Sequence, residues 1–159
     1  MKQGAQVTAD DVIAQPKSLK EQLVGTWLHV EVNIKRPDGK TFDPWGPNGK
    51  GIFIFGPDGY FTHLRMTADR PKYASNDRTK GTPEENSAKA TKTLSFYGKY
   101  AVDEVSKTLI MHIEVSSFPN WEGTDQKRPF TIVGDELRYE NPATALGGAP
   151  AVNIMKRAK

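Results

Sequence analysis

Ile52-Phe53-Ile54-Phe55-Gly56-Pro57-Asp58-Gly59-Tyr60-Phe61-Thr62-His63-Leu64-Arg65-Met66 reads as a whole β-hairpin. Two runs rich in aromatic and β-branched residues flank a tetrapeptide in which Pro57 presets φ and Gly59 tolerates the left-handed conformation that closes a turn. Everything on either side extends the same pattern. Downstream, residues 67–81 read as loop, and Thr82-Pro83-Glu84-Glu85 opens a helix running to about residue 94. Thr82 is its N-cap, Pro83 its first residue, and Glu85 stands three places after the cap. Ala88, Ala90 and Leu94 are the helix's apolar residues, so it is expected to cover an opening rather than fill a core. Strands follow at 96–102, 108–116, 126–133, 136–141 after a Gly134-Asp135 turn, and 152–156.

Upstream of the hairpin, a Pro/Gly-rich loop holds Trp45. Before it, Leu28, Val30, Val32 and Ile34 alternate with His29, Glu31, Asn33 and Lys35, the period of a half-buried strand, which Pro37-Asp38-Gly39 turns back. Ser18 and Glu21 have capping-box spacing ahead of Leu19 and Leu23, which predicts a short helix that Gly25 stops. Residues 1–17 are polar and without period. Eight strands joined mostly by short links form an antiparallel meander, and eight can close into an up-and-down barrel with room for side chains or one small ligand. The expected fold class is therefore all-β.

A chain of 159 residues is long enough for one sizeable core. Hydrophobic residues make up 36% and charged residues 26%, and no apolar run approaches the roughly 18 residues of a membrane helix. The net charge of +3 comes from 22 Lys and Arg spread along the chain, not from a stripe that could track phosphates, so nucleic acid is not an expected partner. With no Cys, thiol catalysis, zinc-thiolate sites and disulfides are excluded together. His29, His63 and His112 stand at unrelated spacings, so no metal is expected, and no Gly-x-Gly-x-x-Gly, phosphate loop or Gly-x-Ser-x-Gly elbow appears, so no cofactor is either. Residues 1–15 lack the apolar segment of an export signal. A native N-terminus implies the cytoplasm; a signal peptide already removed implies the periplasm or secretion. Oligomeric state is not legible.

The loop Ser116-Ser117-Phe118-Pro119-Asn120-Trp121-Glu122-Gly123-Thr124-Asp125-Gln126 carries more rings than a connection needs. Two large aromatics are costly to leave in water, so they fold back over the barrel end, as a plug or as the rim of a pocket.

Gly25-Thr26-Trp27, with Arg157 placed to lie over the Trp, resembles the G-x-W signature of lipocalins. Gly56-Pro57-Asp58-Gly59-Tyr60, Asp69-Arg70-Pro71, Gly98-Lys99-Tyr100, and His112-Ile113-Glu114 running into the Phe118 to Gln126 loop together resemble the bacterial and fungal lipocalin-like domain family, over residues 22–157. The resemblance implies a barrel with a central cavity; the residues themselves put the domain at 18–159, after a segment at 1–17 expected to be flexible. It also implies that a minority of similar barrels are cofactor-free isomerases, cyclases or lyases.

On the strand 108–116, His112, Glu114 and Ser116 share one face and Met111, Ile113 and Val115 the other. Period alone leaves both facings open. If His112 and Glu114 face the lumen they could act as base and acid on a bound molecule. Arg128 would then pair with Glu114 or hold an anionic group of a ligand. Phe118, Asn120 and Trp121 of the loop, with Tyr60, Tyr100 and Arg128, are the candidate ligand contacts. His63 and Arg65 are expected to face outward, opposite Leu64 and Met66. Asp69 and Arg70 are expected to brace their loop as an ion pair, and Met66, Met111 and Met155 to fill core. The reading that follows is a barrel binding a small, largely apolar, oxygenated or aromatic molecule. Its alternative is a cofactor-independent enzyme using His112 and Glu114, and a purely structural module ranks third.

Overall fold

β1 (Gly25–Lys35) and β9 (Ala151–Arg157) lie side by side and antiparallel, from Trp27 opposite Arg157 to Ile34 opposite Ala151, and this pairing closes the sheet. The computed structural model describes residues 16–159, so the flexible segment expected at 1–17 lies outside the described residues but for Pro16 and Lys17. Between the closing strands the order follows the chain: β3 (Lys50–Phe55), β4 (Tyr60–Met66), β5 (Thr93–Asp103), β6 (Thr108–Ser116), β7 (Asp125–Val133) and β8 (Glu136–Asn141), each antiparallel to its neighbour. This is the all-β, eight-stranded up-and-down barrel the period predicts. A two-residue strand, β2 (Thr41–Phe42), is added to the outer end of β1, with Ile34 opposite Phe42. Two helices, α1 (Leu19–Leu23) and α2 (Pro83–Thr91), and a 3-10 turn at Pro119–Trp121 complete the described residues. None of these helices is long and apolar enough to cross a membrane.

The hairpin from β3 to β4 sets which residues face inward. Gly59 takes φ 89° and the Gly56 N–H donates to the Tyr60 carbonyl at 2.8 Å, so Phe55 stands opposite Phe61 and Phe53 opposite His63. Directly opposed residues share a face of the sheet. Because Phe53 and Phe55 are buried and stack at 4.3 Å between ring centroids, Phe61, His63 and Arg65 point inward with them. This reverses the outward facing expected of His63 and Arg65, and it leaves Tyr60 and Leu64 outside.

Two β-bulges change the alternation elsewhere. On β1 the extra residue is Val30, so Trp27 and His29 point inward, Val30 and Glu31 point out, and Val32 and Ile34 return to the interior. The simple period had put Leu28 and Val30 on the same side as Val32. On β6 the extra residue is Glu114: Met111 and Ile113 are buried, Glu114 and Val115 are both exposed, and Ser116 is inside again. Gly98 of β5 sits against this second bulge, where a Cβ would run into the carbonyl oxygen of His112. Only glycine leaves room for the two backbones to approach so closely.

One end of the barrel is sealed. Trp27 is fully buried and its indole N–H donates to the Leu23 carbonyl at 2.8 Å, which ties α1 across the opening. Arg157 lays its guanidinium 4.2 Å from the Trp27 ring centre and donates to the carbonyls of Gln22 (2.7 Å) and Val24 (3.3 Å). Above them Phe53, Phe55, Phe61, Phe96, Tyr100, Leu109, Met111, Ile113, Leu137 and Met155 form one continuous cluster, in keeping with the expected role of Met111 and Met155. At roughly 25 cal/mol per Å2 of apolar surface, this cluster supplies the main driving force for folding. Near the other end a second, smaller cluster gathers Val32, Ile34 and Ala151 under Phe42 and Trp45.

α2 has the capping box expected of it: Thr82 accepts from the Glu85 N–H and Glu85 accepts from the Thr82 N–H. It ends at Thr91, short of residue 94, because Thr93 and Leu94 join β5 opposite Met66 and Arg65. Asp69 binds Lys92 at 2.9 Å rather than Arg70, whose Nε donates to the Thr67 carbonyl.

Candidate ligand-binding cavity

Between the sealed base and the Val32 cluster the barrel holds a cavity of about 370 Å3. Its mouth is formed by Pro44 and Trp45 after β2, by Ala90 and Thr91 of α2, by Ser117, Phe118 and Trp121 after β6, and by Thr144, Ala145 and Leu146 after β8. The ring-bearing loop after β6 is held by short local bonds. The Trp121 N–H donates to the Phe118 carbonyl (3.0 Å), the Thr124 hydroxyl to the Trp121 carbonyl (2.6 Å), and Gly123 at φ 75° returns the chain to β7. The result is that Trp121 is 8% exposed and packs edge-on against Phe96 at 5.3 Å, with Phe118 a further 5.9 Å away. The loop is a plug and a pocket rim at once, since both rings line the cavity.

The cavity floor is polar. His63 on β4 stacks on Phe96 at 4.6 Å, and neither of its ring nitrogens has a hydrogen-bond partner. Burial holds this imidazole well below its ordinary range, and the neighbouring charges of Arg65, Arg128 and His29 push the same way, so His63 is neutral. Arg65 donates to the Asn153 Oδ1 at 2.8 Å and to the Tyr139 hydroxyl at 3.4 Å. Arg128 on β7 donates to the Gln126 Oε1 at 2.7 Å and lies 5.5–5.8 Å from the ring centres of Phe96, Trp121 and Tyr139. Burial lowers its pKa to about 10, which leaves it charged at neutral pH. The Nε of each arginine is buried without a partner. On β1, His29 reaches Asp43 at 4.0 Å, and burial, reinforced by Arg65, lowers its pKa despite that carboxylate.

Of the residues singled out in the sequence, the structure brings Phe118, Trp121 and Arg128 to the cavity. It leaves five elsewhere. Tyr60 is 46% exposed on the outer face, beneath Lys99, because its neighbour Phe61 takes the inward position. Tyr100 is buried toward the sealed base, edge-on to Phe55 at 5.1 Å and donating its hydroxyl to the Gly56 carbonyl. Asn120 is exposed on the loop. His112 and Glu114 stand on the outside, because the inward positions of β6 belong to Met111 and Ile113 and Glu114 is the bulged residue. His112 Nδ1 lies 2.7 Å from Asp125 Oδ1 at the surface, so the facing that would let these two groups meet a molecule in the lumen is not the one the fold adopts. Arg128 and Glu114 accordingly do not pair.

Period-two reasoning on β4 missed His63 and Arg65, and Asn153 and Tyr139 drew no notice. The signal that finds them is register: carried from Phe53 across the β3–β4 turn to His63 and on to Phe96, it places these side chains inside. Chemically, the floor offers charged and neutral donors in a setting walled by Val32, Ile34, Leu94 and aromatic rings. Among the described residues no group of three His, Asp or Glu side chains is placed to hold a metal ion.

The sequence model of the family described as "Lipocalin-like domain" matches residues 24–152. The chain is also similar to the 4'-hydroxy-3'-methoxypropiophenone carrier protein ppsC of Aspergillus oryzae, with 32% identity over 90 residues, a match that spans 52% of this chain and 81% of that relative.

Proposed function

The chain belongs to the lipocalin-like domain family, and from that premise we propose that it binds and carries an oxygenated aromatic molecule in the barrel lumen. The observation that carries this reading is the cavity of about 370 Å3, apolar and aromatic on its walls and donor-rich at its floor. Its size falls in the range of sites for single small molecules. Trp45, Phe96, Phe118 and Trp121 offer ring faces and edges, and Arg65, Arg128 and neutral His63 offer donors that the protein itself leaves unspent. A carbonyl, phenolic or ether oxygen at the floor satisfies those donors, which burial otherwise leaves unpaired at a cost of roughly 1–3 kcal/mol each. The relative's name supports an aryl ketone as the first probe.

Titration of the protein with 4'-hydroxy-3'-methoxypropiophenone, followed by tryptophan fluorescence and calorimetry, tests the reading. A saturable one-site isotherm is expected, with the fluorescence change reduced in Trp121→Phe to what Trp45 reports. Trp121→Ala is expected to weaken binding by about 1–3 kcal/mol through lost apolar contact. Absence of saturable binding by this ketone and by other small oxygenated aromatics would overturn it.

A further inference from the structure

The residues lining the lumen include two arginines and no aspartate or glutamate. Arg65 and Arg128 are 4% and 2% exposed, and among the described residues neither has a carboxylate oxygen within 4.0 Å. Their partners are neutral: an asparagine and a glutamine oxygen, a tyrosine hydroxyl, and the faces of aromatic rings. An unpaired charge held out of water is costly, and two like charges near each other add repulsion. Ring faces recover part of that cost by cation–π attraction, but they cannot take up the two buried Nε–H donors that stand without partners. A fold selected for stability alone has apolar side chains in such positions. The arginines make physical sense when an anion completes them, because charge-assisted hydrogen bonds from a guanidinium to an oxyanion are about twice as strong as neutral ones.

Resting on the reading that the lumen holds a small molecule, we infer that its ligand is an organic anion, an aromatic carboxylate or phenolate whose charged oxygen sits between Arg65 and Arg128 beside His63. The aromatic body then lies toward Phe118, Trp121 and Trp45 at the mouth. These walls distinguish the site from one for a free inorganic anion, which would gain nothing from them. Neutral His63 supplies one further N–H to the oxyanion without adding a third charge.

Two isosteric pairs of probes test this by calorimetry on the intact protein. At pH 7, 3,4-dimethoxybenzoate and 3,4-dimethoxyacetophenone differ in an oxyanion against a methyl group. At pH 9, 4-hydroxy-3-methoxyacetophenone as its phenolate is compared with the same dimethoxy ketone. The anion of at least one pair is expected to bind about tenfold to a hundredfold more tightly, and the pair that shows it identifies carboxylate or phenolate. Arg128→Met is expected to erase that preference while keeping the thermal midpoint, and Arg128→Lys to keep part of the preference. Equal affinities in both pairs of the wild-type protein, whatever the variants do, overturn the inference while leaving a neutral-ligand carrier intact. Binding of no probe overturns both readings. Inorganic phosphate binding as tightly as either aromatic anion also refutes it, since the aromatic walls would then contribute nothing.

Discussion

The two ends of this barrel are built on opposite terms. At the base the polar groups that seal it have partners: the Trp27 indole bonds Leu23, the Tyr100 hydroxyl bonds Gly56, and Arg157 spends donors on Gln22 and Val24. Midway up, His63, Arg65 and Arg128 are as deeply buried but keep donors in reserve. The base repays burial with packing and bonds formed within the protein. The middle is left incomplete, and an incomplete polar cluster inside a low-dielectric lumen favours whatever arrives to complete it. Satisfied packing is concentrated at the base and unspent donors in the middle.

The largest expected effect of breaking this division is at the base. Trp27→Ala should lower the free energy of unfolding by about 3–5 kcal/mol, measured by urea denaturation, while ligand affinity per folded molecule stays unchanged. A small shift in the unfolding midpoint would show that the base is not where stability resides.

The middle should betray itself through pH. The folded state disfavours the imidazolium of His63, so its folded pKa lies below the ordinary 6.5. Above pH 6.5 the residue is neutral in both states and its contribution is constant. As pH falls below 6.5 the unfolded chain takes up a proton that the native state refuses, and stability drops by about 1.4 kcal/mol per pH unit until the folded pKa is reached. In His63→Phe this slope, read above the carboxylate range where Asp69, Asp77, Glu85 and Asp103 begin to add their own loss, should shrink to what His29, lowered in the same direction, contributes. An unchanged slope would mean that His63 takes up its proton in the folded barrel as readily as in the unfolded chain.

The smallest effect should come from the outer surface. His112→Asn removes an exposed pairing with Asp125 and is expected to change stability by about 0.5 kcal/mol or less and ligand affinity not at all. A clear loss of affinity in calorimetry would bring the outer face of β6 into the binding site.

The eight barrel strands, the turns and both helix N-caps were legible in the sequence, because each depends on residues close together, whereas the Trp27–Arg157 clamp was legible only through the resemblance to the lipocalin signature. Facing was harder. On β4 the sets Tyr60, Thr62, Leu64 and Phe61, His63, Arg65 alternate, and hydrophobicity alone favours burying the first. What decides is the register imposed by Gly59 and the aromatic pair Phe53 and Phe55, a property of two strands rather than one. Glu114 was hidden for a related reason: a bulge adds one residue and reverses parity, and its trace in the sequence is Gly98 on the neighbouring strand. Phe118, Trp121 and Arg128 were readable as cavity residues because large rings on a loop and a charge in step with Gln126 are unusual enough to need an explanation. His63 and Arg65 escaped because buried groups with unspent donors violate the rule by which a core is recognised.

The neighbourhood of β1 and β9 also governs how the chain reaches this state. Arg157 bonds the carbonyl of Gln22, 135 residues earlier, so the base cannot be sealed until nearly the whole described chain is available. Every other ladder joins strands that are consecutive in the chain or, for β1 and β3, separated only by β2, and can form as the meander grows, whereas this one must gather the two ends across the longest loop in the molecule. Until then β1 and β9 present open edges, and the unclosed sheet is prone to pairing with another chain. Closure of β9 onto β1 is therefore the step expected to set the folding rate, and shortening the chain before Ala151 should trade a closed barrel for aggregates.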